Sequence, residues 1–255
     1  MFITQFDKKY VKWGEILIKA HAKYYPNERI FVSAVNLDAE DILFLKSTHP
    51  HLILENQKIS IEQIPEVKTR VMWGGQVGRH FPEMMACRKG QVLQDAFVKF
   101  PNEESFIMTD ADIFINKNCN FEELLRDVDA ALLVGGDDGF RSKPVTEVMS
   151  GVMILKNNQK CRKLVDLWVE NMSKYQTIAG IKQWEWFWDQ ITLNFAVREI
   201  QSDGFALKNL PHKQFVNSHN NDEAYMWSAH SGSPIDKERL YVHWKKKIDE
   251  LFEGE

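Results

Sequence analysis

Cysteine is scarce in this 255-residue chain, which holds only Cys87, Cys119 and Cys161. Their odd number and wide spacing exclude a disulfide framework and give no zinc-cluster pattern, so a reducing compartment fits. Long apolar runs are missing as well. No stretch approaches the ~18 residues of a membrane-spanning helix, and the N-terminus lacks the apolar core of a secretion signal. The expectation is a cytoplasmic protein without a transmembrane segment. Nor is there an excess of positive charge. Lys and Arg number 32 against 36 Asp and Glu, a net charge of −4, which argues against nucleic acid as a general partner. No internal repeat, low-complexity tract or linker breaks the chain, so residues 1–255 read as a single domain.

Aromatic residues are the surplus, with 8 Trp and 16 Phe. Several gather in Trp184-Glu185-Trp186-Phe187-Trp188. Such rings fill cores and also form floors for sugars and bases.

Phe2 to Asp7 reads as a strand ending in a carboxylate. Tyr10, Trp13, Leu17, Ala20 and Tyr24 then recur at helical spacing, and Ile30 to Val35 forms a second strand. A strand–helix–strand opening predicts a mostly parallel α/β sheet with right-handed crossovers. Leu52–Leu54 and Lys58–Ile61 are short strand candidates. Trp73-Gly74-Gly75-Gln76-Val77-Gly78-Arg79 lacks the spacing of a nucleotide-binding glycine loop and reads as a mobile loop. Met85 to Phe97 reads as a helix with Arg88 and Lys89 near its start. A short helix follows near Phe121–Asp127, capped by Asn120. Ala130–Val134 is a buried strand, and Val148–Leu155 is a strand interrupted at Ser150-Gly151. Cys161–Ser173 and Glu185–Val197 read as helices, and Leu240–His243 as a last short strand before three lysines.

The most telling segment is Ser105 to Ile115, Ser-Phe-Ile-Met-Thr-Asp-Ala-Asp-Ile-Phe-Ile. Asp110-Ala111-Asp112 follows an apolar strand directly, and open α/β sheets bind ligands at the carboxyl ends of their strands. Two carboxylates one residue apart there form a hard-oxygen site for Mg²⁺ or Mn²⁺, which in turn can hold a diphosphate. A nucleotide-linked substrate is the natural occupant. Arg88 or Lys89, with one of Lys245 to Lys247, would add charge to the same phosphates. Asp7 is a candidate for the nucleoside and equally for a helix cap. Asp137 and Asp138, just past a strand end, are candidates for donor or acceptor hydroxyls, and a plain turn explains them almost as well.

Taken in order, these segments resemble the GT-A-fold glycosyltransferases, especially the retaining glycosyltransferase family 8 and related nucleotide-diphospho-sugar transferases. Four pieces carry the resemblance: Asp110-Ala111-Asp112, Met149-Ser150-Gly151-Val152, Asp189-Gln190-Ile191-Thr192-Leu193-Asn194, and Val242-His243-Trp244 with its lysines. The resemblance implies a Rossmann-like, mostly parallel central sheet flanked by helices. It implies a metal-dependent transfer from a nucleotide diphosphate donor, a UDP-sugar by family likeness, to a saccharide or other hydroxyl acceptor, with retention of configuration. Asp110, Asp112 and His243 would hold Mn²⁺ or Mg²⁺. Ala111, Ser150 and Gly151 would line the donor, and Lys247 would touch its diphosphate. Asp189 and Gln190 would face the sugar at the reacting carbon, with Trp188 beside them. The chain departs from the family at Met149, where Asn is usual, at Ile191, where a second Asp is usual, and after His243, where a Gly is missing.

Three rivals use similar pieces. An aspartyl-nucleophile phosphatase also follows a strand with Asp-x-Asp, but near its N-terminus and with Thr or Val where Phe114 stands. A sugar-nucleotide nucleotidyltransferase would show an N-terminal glycine-rich loop, absent from Phe2 to Lys12. A non-catalytic nucleotide-sugar-binding module is favoured by Met149 and Ile191 and opposed by the intact carboxylates.

Overall fold

Three six-residue strands, the first two each followed by a helix, build one half of the main sheet. In the computed structural model, which describes residues 1–63, 67–68, 77–78, 81–134, 148–178, 188–211, 215–217, 220–229 and 234–253, β1 (Phe2–Asp7) leads through a 3₁₀ turn into α1 (Val11–Tyr24). β2 (Ile30–Val35), α2 (Ala39–Thr48) and β3 (Leu52–Gln57) follow. These three strands are parallel and adjacent. Every residue of β1 and β2 is buried, as expected for strands covered on both faces.

The chain then returns past its starting point. α3 (Phe81–Cys87) and α4 (Lys89–Lys99) meet at Arg88 and lead to β6 (Ser105–Asp110), which pairs with β1 in parallel on the side opposite β2. Strand order reverses between β1 and β6. In an open α/β sheet the crevice at that switch point is where ligands bind, and Asp7 and Asp110 are the last residues of these two strands. β8 (Ala130–Val134), β9 (Val148–Lys156) and β10 (Leu207–Pro211) complete seven strands in the order β10-β8-β9-β6-β1-β2-β3, with β9 antiparallel to both neighbours.

Two apolar cores sandwich this sheet. One joins α1 to the C-terminal helix α8 (Pro234–Phe252) through Trp13, Leu17, Trp244 and Ile248. The other joins α4, α6 (Gln159–Ile178) and α7 (Trp188–Gln201) through Leu93, Phe97, Trp168 and Leu193. A small second sheet pairs β7 (Ile113–Ile115) with β12 (Met226–Ser228), which in turn pairs with β11 (Val216–Asn217). Stacking of Phe114 on Trp227 at 5.0 Å fixes this contact.

Several expectations change. Leu240–His243 is not a strand. It lies within α8, where Leu240, Tyr241, Trp244, Ile248 and Leu251 recur every three or four residues and pack into the core. Lys58–Ile61 forms no strand either, and a 3₁₀ turn occupies Ile61–Gln63. α2 escaped the sequence reading, although Asp38 and Asp41 form a reciprocal capping box at its start. Val77-Gly78, inside the stretch read as a loop, is β5 and pairs with β4 (Val67–Lys68). The remainder of that stretch, Trp184 to Phe187, and Asp137 with Asp138 lie outside the described residues. Asn120 does cap α5 (Phe121–Leu125), accepting from the Glu123 amide at 3.1 Å.

Candidate active site

Three separate stretches meet on one buried ammonium. Lys89, in the first turn of α4, lies 2.6 Å from Asp110 Oδ1 and 3.2 Å from Asp189 Oδ2, and donates to Ser150 Oγ at 3.1 Å. Ser150 Oγ itself donates to Asp189 Oδ2 at 2.5 Å. Burial opposes the charge on Lys89, yet Asp110 and Asp189 outweigh it and hold the amine above the ordinary lysine range.

Local sequence explains how each partner arrives. Opposite consecutive residues Leu132 and Leu133 of β8, strand β9 presents Met153 and then Met149. The pairing with β8 is irregular over the intervening Ser150, Gly151 and Val152, and such irregularities recur beside functional sites. A Cβ at Gly151 would stand 3.3 Å from Asp110 Oδ2, so a side chain there would press on the carboxylate. Asp189 sits in the first turn of α7, a favourable place for a carboxylate on the helix dipole. Two anchors fix that turn. Trp168 Nε1 donates to the Asp189 carbonyl at 2.9 Å. The Asn194 side chain accepts from the Val148 amide at 3.1 Å and donates back to the Val148 carbonyl at 3.4 Å. Asn194 thus clamps α7 to the bulged strand.

Asp112, the second carboxylate, has a different cation. Lys237 of α8 donates to its Oδ2 at 2.7 Å. The Asp112 carbonyl also accepts from the Ala229 amide at 3.0 Å, and buried Ala111 separates the two acids. The lysines approach from helices on opposite faces of the sheet. Among the described residues, three carboxylates here face two ammonium groups. Burial, opposed by Lys89 and helped by Asp112 and Asp189, raises the Asp110 carboxyl to about 6. A hard cation suits such a cluster. Asp110 and Asp112 supply two ligands, and among the described residues no group of three His, Cys, Asp or Glu side chains stands ready to hold a metal.

The other candidates are placed elsewhere. His243 is exposed on α8, stacked on Trp227 at 5.9 Å, and is not grouped with Asp110 and Asp112. Lys247 pairs with Asp222 at 2.9 Å and lies over the Trp227 ring at 4.1 Å. Arg88 donates to Gln57 Oε1 at 2.6 Å. Asp7 caps the 3₁₀ turn by accepting from the Lys9 amide at 3.0 Å. Trp188 and Gln190 flank Asp189 at the start of α7. Sequence reasoning missed Lys237. It stands in the charged stretch Asp236-Lys237-Glu238-Arg239, where nothing in the sequence sets it apart from its neighbours.

A family model described as nucleotide-diphospho-sugar transferase matches residues 31–248. No curated protein matches by sequence. Among solved structures, the galactosyltransferase LgtC in complex with donor and acceptor sugar analogues is similar. It has a TM-score of 0.58 at 9% identity, covering 98% of this chain and 96% of that one. An active-site glutamine-to-glutamate mutant of LgtC gives 0.56 at 9% identity, covering 96% and 95%.

Proposed function

The chain belongs to the nucleotide-diphospho-sugar transferase family and is a glycosyltransferase of GT-A fold, and from this premise we propose that it moves a sugar from a UDP-linked donor to a hydroxyl of a saccharide or other acceptor, using a divalent cation and retaining configuration. The observation that carries this reading is the convergence of Asp110, Ser150 and Asp189 on Lys89. Three of the stretches that resemble the family meet there, at the end of the strand next to the switch point. We read the whole chain as one such domain, acting in the cytoplasm.

Roles follow from position. Asp7 ends β1 and takes the nucleoside. Asp189, held by Lys89 and Ser150, accepts from sugar hydroxyls. Such an engaged carboxylate is a poor nucleophile, which favours front-side displacement. The bond from the anomeric carbon to the phosphate oxygen breaks, the acceptor oxygen bonds to the same carbon, and the acceptor proton passes to the leaving phosphate. Gln190 and Trp188 border the sugar. A cation on Asp110 and Asp112, Mn²⁺ or Mg²⁺, would neutralise the leaving diphosphate as a Lewis acid. The resemblance gives the third ligand as His243; that residue is not grouped with Asp110 and Asp112 here, so the donor diphosphate would complete the shell of the cation.

Thermal melting with UDP, GDP, CDP or ADP, each with Mn²⁺, Mg²⁺ or EDTA, tests the donor and the cation together. A ligand at a hundred times its dissociation constant adds about 2.7 kcal/mol. Stabilisation by UDP with metal and none with EDTA is expected, and indifference to every nucleotide would refute the reading. Asp112→Asn should abolish the metal-dependent shift while His243→Ala keeps it. Loss of the shift in His243→Ala would return the third ligand to His243.

A further inference from the structure

Asp112 holds both ends of one short segment. Its carbonyl accepts from the Ala229 amide at 3.0 Å, and its carboxylate pairs with Lys237 at 2.7 Å. Residues 229 to 237 therefore begin and end on the same aspartate. Lys237 stands at the start of α8, its ammonium 5.5 Å from the centre of the Tyr10 ring. Beyond it, Lys12 pairs with Glu238 at 2.5 Å, and Trp13 packs edge-on against Tyr241 and Trp244 at 5.5 and 5.4 Å. The body of the helix is thus fixed on α1 independently of Asp112, and the lysine side chain is free to change partner without moving the helix.

An ammonium and a divalent cation cannot share one carboxylate oxygen without strong repulsion. We propose that Lys237 is the resident counter-ion of Asp112 in the ligand-free protein. Lys237 leaves Asp112 when a divalent cation takes that carboxylate, and its ammonium then pairs with the donor diphosphate. This rests on the transferase reading above and adds an exchange to it. The exchange has a thermodynamic consequence. Displacing Lys237 weakens the binding of a lone cation, and a diphosphate that receives the freed ammonium restores the loss. Cation and nucleotide diphosphate bind cooperatively, and each raises the other's affinity by the same factor.

The test uses the full-length protein with Mn²⁺ alone and with UDP. Free Mn²⁺ counted by electron paramagnetic resonance gives the cation affinity of wild type, Lys237→Met and Lys237→Arg. Lys237→Met should bind Mn²⁺ alone at least about fivefold more tightly, the lower end of ordinary coupling, and should bind UDP in saturating Mn²⁺ more weakly by a similar factor. Lys237→Arg should resemble wild type. Unchanged or weaker Mn²⁺ binding by Lys237→Met, or unchanged UDP affinity, overturns the exchange. Should that variant fail to fold, wild type labelled with ¹³C-methyl groups on its lysines provides a second readout. The Lys237 resonance, identified by its loss in Lys237→Arg, should shift on titration with Mg²⁺ alone. A resonance that stays fixed to saturation overturns the proposal. If wild type binds UDP and Mn²⁺ but fails these tests, the exchange alone falls. If it binds neither, the transferase reading falls with it.

Discussion

A single buried lysine organises the site, and its removal has two separable effects. Lys89 pairs with both Asp110 and Asp189, so Lys89→Met leaves two carboxylates without their shared cation. Breaking a buried pair in this way costs about 3–5 kcal/mol, and denaturant unfolding should show a loss of that order. Turnover should vanish even where the variant remains folded, because Asp189 loses the ammonium that holds its carboxylate in place toward the sugar. A folded variant with wild-type turnover would remove Lys89 from the site. At this scale the sequence was informative where chemistry is concentrated in adjacent residues. Asp110, Asp112, Ser150 and Asp189 each stood out from their neighbours. Lys89 was singled out with Arg88 as an alternative, and only the fold separates them, sending Arg88 to Gln57 and Lys89 to the carboxylates.

Among the elements, the strands buried along their middle were legible, because burial on both faces favours apolar and β-branched residues there. β1, β2 and β6 are such cases. α2 was not, since Leu45 is its only buried residue and Leu43 and Phe44 are exposed. That helix is defined by its cap and not by an apolar stripe. The first half of α8 is misassigned from sequence because Leu240-Tyr241-Val242 is a short apolar run of the sort that periodicity cannot assign. The period becomes visible only when Trp244, Ile248 and Leu251 are counted with it.

A chain of imidazoles ties α1 to the segment after α2. The His51 amide donates to His49 Nδ1 at 3.0 Å, so the His49 proton is on Nε2 and is donated to His21 Nδ1 at 2.8 Å. His21 is fully buried, and burial, with His49 and the N-terminal ammonium adding to it, lowers its pKa from 6.5 to about 3. A second proton on His21 would also displace the His49 hydrogen bond. The folded value lies below the unfolded one, so this contribution to stability is complete above pH 6.5 and disappears as pH falls toward 3. By pH 5 the loss from His21 is about 2 kcal/mol. Denaturant midpoints between pH 7 and pH 5 should fall accordingly, and His21→Leu should flatten the slope. An equally steep profile in His21→Leu would assign the acid sensitivity to other groups.

Across the whole molecule, the two lysines reach the Asp-Ala-Asp turn from opposite layers, Lys89 on α4 and Lys237 on α8. Their geometry therefore depends on both cores. Trp244 is the main anchor of α8: it is fully buried, packs against Trp13 and Phe114, and donates from Nε1 to Asn220 Oδ1 at 3.0 Å. Trp244→Ala should cost about 3–5 kcal/mol. It should also weaken binding of UDP with Mn²⁺, because the helix that presents Lys237 loses its seat on α1. A destabilised core alone would not do this. Leu45 lies in the same core but on α2, which contributes nothing to the site, and Leu45→Ala, at about 2–5 kcal/mol, is the matching control. Well below the melting temperature of both variants, Leu45→Ala should keep wild-type nucleotide affinity while Trp244→Ala loses it. Equal affinities in the two would mean that the position of α8 is set by the small sheet and the 229–237 segment, and that its packing on α1 serves stability alone.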